Sequence, residues 1–267
     1  MSRPRPGKRR TGLILTLFIL ALAALMVWRL PVFRLQVIDI SELRSLSEED
    51  VLAASGLKIG QHLFQGLGGS PGQISQLRYA AAEAGLAEAC PAIKSVTVKM
   101  VFPGKISLTI EERIEVAYVS IPDGCVMIDK EGVAIRVLSQ APERIPVIEG
   151  ITVTSLIPGQ PLGVDVNSAL NSAISLMGAI IDADKDSRPE LQLLPLISKI
   201  RPIGGNDLYL TVILPATGEE LSIAAETGQN LAEDMLWLRF ALSQGVFNGR
   251  GKGVLDLTGN RKTFTPD

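Results

Sequence analysis

Hydrophobic and polar positions along the chain follow three successive patterns. Residues 11–28 form an apolar run with no charged side chain. As a helix rising 1.5 Å per residue it spans about 27 Å, close to one hydrocarbon core. Its Leu, Ile, Phe and Val residues each favour insertion by roughly 0.3–0.6 kcal/mol, which outweighs Thr16. The run predicts a transmembrane helix over residues 11–30, with Trp28 and Arg29 at the far interface. Ala21-Leu22-Ala23 is similar to a signal-peptide cleavage site. The apolar run continues past it through Leu25, Met26, Val27 and Trp28, which favours an uncleaved anchor.

The second pattern is mixed. Phe33, Leu35, Val37, Ile38 and Ile40 predict a short strand. Ser47, with acids at the next three positions, predicts a helix N-terminus, and Gly56 its end. Residues 66–72 are glycine-rich and predict a loop. Over residues 73–89, Ile74, Leu77, Ala81, Ala84 and Glu88 keep helical spacing, and Pro91 forbids continuation. Val96 and Val98 then alternate with Thr97 and Lys99. After the turn Phe102-Pro103-Gly104-Lys105, Ile106, Leu108 and Ile110 alternate with polar residues. This is a hairpin, and the order is strand, helix, helix, strand, strand.

The third pattern is dominated by strands, predicted over 116–121, 126–128, 133–138, 145–148, 197–203, 208–214, 220–224 and 253–258. Two helices interrupt them. Leu170, Ile174, Met177 and Ile181 predict one over 167–182. Leu231, Met235, Leu238 and Leu242 predict the other over 231–244, with Asn230 and Glu233 as its cap. Residues 259–267 read as a short polar tail. The expected fold class is α+β: an N-terminal transmembrane helix, a βααββ module, then a mixed β domain with two helices.

Charge adds a direction. Arg3, Arg5, Lys8, Arg9 and Arg10 precede the apolar run with no acid among them, so the positive-inside rule keeps residues 1–10 in the cytoplasm. Setting those five aside leaves 21 basic residues against 28 acidic ones, a net −7. The main body therefore lacks the basic footprint of a nucleic-acid binder.

Candidate chemistry is sparse. Glu111 and Glu112 are adjacent on a strand, point to opposite faces, and cannot flank one substrate. The pattern reads as a strand edge with an ion pair to Arg113. Asp129 and Glu131 offer too few oxygens for a calcium cage and read as a turn. His62 has no nucleophile motif beside it. Gly66-Leu67-Gly68-Gly69-Ser70 lacks the lysine of a phosphate loop. Cys90 and Cys125, with the single His62, do not make a structural zinc site. They are either a disulfide or two buried thiols. No catalytic residue, metal, cofactor or small-molecule substrate is expected.

Several stretches together resemble the FtsQ/DivIB family of bacterial division proteins. Leu46-Ser47-Glu48-Glu49-Asp50-Val51, Ser55-Gly56-Leu57 and Gly60-Gln61-His62-Leu63-Phe64 are similar to the first-helix stretch of that family's POTRA module. The hairpin ending in Glu112-Arg113 is similar to the module's close. Ile128-Asp129-Lys130-Glu131-Gly132, Ile145-Pro146-Val147-Ile148-Glu149-Gly150 and Leu255-Asp256-Leu257 fit successive parts of its β domain. Departures are the lack of a glycine after the first strand, the insertion at 66–72, the long Ala-rich helix and the short tail.

The resemblance implies a cytoplasmic tail at 1–10, an anchor at 11–30, a POTRA-like domain at 31–112, a β domain at 113–258 and a tail at 259–267. It implies a single-pass protein at the division septum with its domains outside the cytoplasm. Its role would be a non-enzymatic scaffold contacting FtsL-like and FtsB/DivIC-like bitopic proteins and a septal peptidoglycan synthase. Because an outer strand presents unpaired backbone groups, Val254, Leu255, Asp256, Leu257 and Thr258, with Arg261, are the expected partner-binding residues. The alternatives are a POTRA-containing envelope or sporulation assembly protein, or a secreted ligand binder, which needs a convergent polar pocket.

Overall fold

The computed structural model describes residues 7–142, 145–259 and 261–266, with the side chains of 7–11 and 23–28 outside the description. The chain divides between Glu112 and Arg113 into two units.

The first unit opens with helix α1, Gly7–Arg29, followed by a 3-10 turn at Pro31–Phe33. Among the described residues no helix is long and apolar enough to cross a membrane. The segment expected to do so, 11–30, falls partly outside them: side chains within α1 are described only for 12–22 and Arg29. Those of the leading basic cluster lie outside as well.

Strand β1, Val37–Ile40, is followed by α2, Glu48–Ser55, α3, Pro71–Ser75, α4, Ala80–Ala89, β2, Ile93–Val101, and β3, Lys105–Glu112. The sheet order is β1-β3-β2. β1 runs parallel to β3, and β2 and β3 form the expected antiparallel hairpin. Leu35, Val51, Leu63, Tyr79, Leu86, Val98, Ile106 and Leu108 make its core. The Ser47 side chain caps α2 by accepting from the Asp50 N–H at 3.1 Å, and Gly56 ends it in the left-handed region, φ 64°.

The helix expected over 73–89 is two helices. The break falls at Leu77, whose φ is +57°. There the backbone bonds to the sheet: the Met100 N–H donates to the Leu77 carbonyl at 2.9 Å, and the Tyr79 N–H donates to that of Val98 at 3.0 Å. Lateral pairing with β2 replaces the helical ladder. The glycine-rich loop also ends sooner than expected, because Ser70 and Gln73 form a reciprocal capping box with Pro71 in the first turn of α3.

The second unit contains β4, Glu115–Ile121, β5, Gly124–Asp129, β6, Ala134–Leu138, β7, Val147–Ile148, β8, Val153–Ser155, β9, Gly163–Val164, and α5, Asn167–Asp184. It continues with β10, Ile197–Gly204, β11, Asp207–Ile213, β12, Glu220–Glu226, α6, Leu231–Ser243, β13, Gly253–Asp256, and β14, Thr263–Pro266. Nine strands form one sheet, ordered β14-β13-β12-β11-β10-β7-β4-β5-β6, and β8 pairs with β9 apart from it. The short β7 joins the halves by running parallel to both β4 and β10.

Helices α5 and α6 share the core of this sheet through Leu170, Leu176, Met177, Ile180, Met235 and Leu238. Ile181, expected on the buried face, is 39% exposed, and Ile180 takes the inward position. The Asn230 side chain makes no capping bond to α6, contrary to expectation. Cys90 and Cys125 are free thiols, each buried in its own unit.

Candidate docking site at the sheet edge

β13 is held on both sides. Ser222, Ile223 and Ala224 of β12 pair with Val254, Leu255 and Asp256 in parallel register. On its other side Val254 faces Thr265, Leu255 faces Phe264, and Asp256 faces Thr263. The outer-strand role expected of residues 254–258 therefore passes to β14, built from the segment read as a tail. The reason is local chemistry. Asp256 accepts from both the Thr258 N–H, 2.8 Å, and the Thr258 hydroxyl, 2.7 Å. These bonds turn the chain sharply after β13, and hold the Asp256 carboxyl below its ordinary pKa, the hydroxyl contribution being the larger. Lys262 then pairs with Asp234 of α6 and donates to the Leu257 carbonyl at 3.3 Å. The turn is thereby tied to the helix before β14 begins.

The six expected residues lie together in this hairpin but play different parts. Leu255 and Leu257 are each 1% exposed and belong to the core. Val254 and Asp256 are half-buried, while Thr258 and Arg261 are exposed. Thr263, Thr265 and Pro266 are exposed and Phe264 is half-buried, packing on the ring of Phe247. Among the described residues no strand pairs with the outer side of β14. Its backbone groups there are open to an added strand. The signal for β14 was the alternation of Thr263-Phe264-Thr265, residue types that favour strands.

The charged groups weighed for chemistry have structural work. Glu111 accepts from the Ser95 hydroxyl at 3.0 Å. Glu112 accepts from the N–H groups of Arg44, 2.6 Å, and Ser45, 2.9 Å. Burial opposes its charge, but the Ser45 hydroxyl and these backbone donors leave its pKa lowered. Arg113 pairs with Asp129 at 2.6 Å and not with Glu112. The same Asp129 carboxylate accepts from the N–H groups of Glu131, 2.8 Å, and Val133, 2.9 Å, closing the turn. A cavity of about 300 Å³ beside α6 is lined by Asp186, Ser187, Arg188, Arg239 and Phe240. Arg239 spends a donor there on the Ala183 carbonyl.

Residues 33–113 match the family of POTRA domains of the FtsQ type. A comparison with curated proteins finds no match. Among solved structures, the chain is similar to the major extracytoplasmic domain of the trans isomer of the bacterial cell division protein DivIB from Geobacillus stearothermophilus. Identity is 15%, coverage is 51% of this chain and 97% of that chain, and the TM-score is 0.30. A likeness that distant carries no weight by itself. Residues 33–113 thus form an FtsQ-type POTRA domain.

Proposed function

We propose that this protein is a membrane-anchored scaffold of the bacterial division machinery, which binds other proteins and catalyses no reaction. The FtsQ-type POTRA domain at 33–113 carries the reading. In this reading α1 is the anchor, with its basic leader in the cytoplasm and both folded units outside. The apolar run of 11–28 and the five preceding cations support that orientation.

The second unit supplies a docking edge. β14, backed by Val254, Asp256, Thr258 and Arg261, accepts a strand from a small bitopic partner of the FtsL or FtsB/DivIC kind, and through it reaches the septal peptidoglycan synthase. Main-chain hydrogen bonds give such a contact its affinity, and alternate side chains its selectivity.

A photo-crosslinking residue at Thr265, in the full chain in its own cells, tests the docking edge. Adducts with bitopic division proteins are the expected result. No adduct, with the protein folded and at the membrane, removes the docking proposal. A fluorescent fusion tests the wider role: normal septation on depletion and no midcell signal defeat it.

A further inference from the structure

The POTRA unit exposes an aromatic cluster immediately after α1. The Phe33 ring lies 5.8 Å from Phe64 and 5.8 Å, edge-on, from Phe102, and Phe64 and Phe102 are 6.3 Å apart. His62 stacks behind them, 6.2 Å from Phe33. Phe102 is 49% exposed and Phe64 39%. Leu30, Val32 and Val101, close to these rings in the chain, are exposed as well. Three separate stretches of sequence therefore bring large apolar side chains to one place, where burial in the core would be the ordinary outcome.

The cluster is firmly built. The Leu63 N–H donates to the Phe33 carbonyl at 2.7 Å, the Leu35 N–H to Gln61 at 2.8 Å, and the Gly60 N–H to Leu35 at 2.7 Å. The Gln36 N–H donates to Gly104 at 2.7 Å, holding the Phe102 turn against the same segment. Arg29 and Arg34 flank it and are exposed.

We infer that this cluster seats the POTRA unit on the outer surface of the bilayer, in the headgroup layer. The inference rests on the anchor reading of α1. Its support is chain continuity. The helix ends at Arg29 and the 3-10 turn follows at Pro31–Phe33. Four residues cover about 8 Å at a 3-10 rise and at most about 14 Å fully extended. The headgroup layer on each side is about 5–8 Å thick. Phe33 is thus tethered within or just above that layer, and Phe64 and Phe102 travel with it. Aromatic rings are suited to this depth, and the two arginines suit anionic headgroups. The lipid contact would limit how the POTRA unit pivots on its anchor.

The test uses the full chain in vesicles of phosphatidylethanolamine and phosphatidylglycerol, with and without acyl-chain bromination. The chain has two tryptophans, Trp28 and Trp237. One variant, Trp237→Phe, leaves Trp28 to report the anchor. A second, Trp28→Phe with Trp237→Phe and Phe102→Trp, reports the cluster, and Phe64→Trp in place of Phe102→Trp provides an independent reporter should the first misfold. Loss of emission in brominated vesicles for both the anchor and a cluster reporter is expected. Quenching at Trp28 with none at either cluster position overturns the inference and leaves the anchor standing. That result points to a protein partner for the cluster. No quenching at Trp28 overturns both.

Discussion

At Gly253 a single methyl group decides whether the outer edge forms. A Cβ there meets the Thr265 carbonyl oxygen at 2.4 Å and Pro266 Cα at 2.9 Å, both backbone atoms of β14. Neither can swing away as a side-chain tip can. Gly253→Ala is expected to cost about 1–3 kcal/mol and to detach β14. Hydrogen exchange checks it: the amides of Thr263 and Thr265, which face β13, lose protection while those of β11 and β12 keep theirs. Glu83 has a comparable role in the POTRA unit. It is 8% exposed, binds Arg78 through two bonds of 2.7 Å, and accepts from the Val98 N–H at 2.9 Å. Glu83→Ala strands that buried N–H, at about 1–3 kcal/mol, and denaturant unfolding of the POTRA unit would show the loss. Gln in place of Glu keeps an acceptor and is expected to lose less.

Among elements, helix starts separate side chains that cap from those that only look like caps. Ser47 and Ser70 accept from N–H groups three residues on, whereas Asn230 does not. Ser47→Ala is expected to cost about 1 kcal/mol and Asn230→Ala less than about 0.5 kcal/mol, a contrast readable from denaturation midpoints. Ser47 and Asn230 looked alike in the sequence, and Ser70 read as loop, because residue type and spacing do not reveal the backbone angle that aims the cap. Local patterning made most elements legible: period 2 marks β2 and β3, and the spacing of 4, 3, 4 in α6 matches its buried face. Two of the misses come from strand pairing that the local pattern does not show. Residues 77–79 leave the helix because β2 offers bonds, and 263–266 become a strand because β13 does. β8 and β9, two or three residues each, are too short to show a period. The docking edge was half legible: Leu255 reads correctly as a strand residue, but Leu257 lies just past β13 and the outer position belongs to β14.

Across the whole molecule, each unit has an apolar core of its own, around Leu86 and Ile106 in the first and Met177 and Leu210 in the second. Each also carries carboxylates whose pKa is lowered on folding. In the first these are Glu83 and Glu112. Burial raises the pKa of Glu83, but the Arg78 bonds and the Val98 N–H outweigh it. In the second they are Asp256 and Glu149, the latter held down first by Lys199 and also by Arg201. A carboxylate with a folded pKa below its unfolded value stabilises the fold above the unfolded value, and that stability disappears as pH falls through the folded one. For the glutamates the unfolded value is 4.5. Stability is expected to be insensitive to these groups at neutral pH and to drop in both units below about pH 4.5. Separate fragments 31–112 and 113–267, each melted across pH 3–7, would check this. A midpoint that rises on acidification in either fragment contradicts the assignment of its carboxylates. In the first fragment, Glu83→Gln should flatten the acid limb, because a side chain that cannot titrate removes its share of the slope.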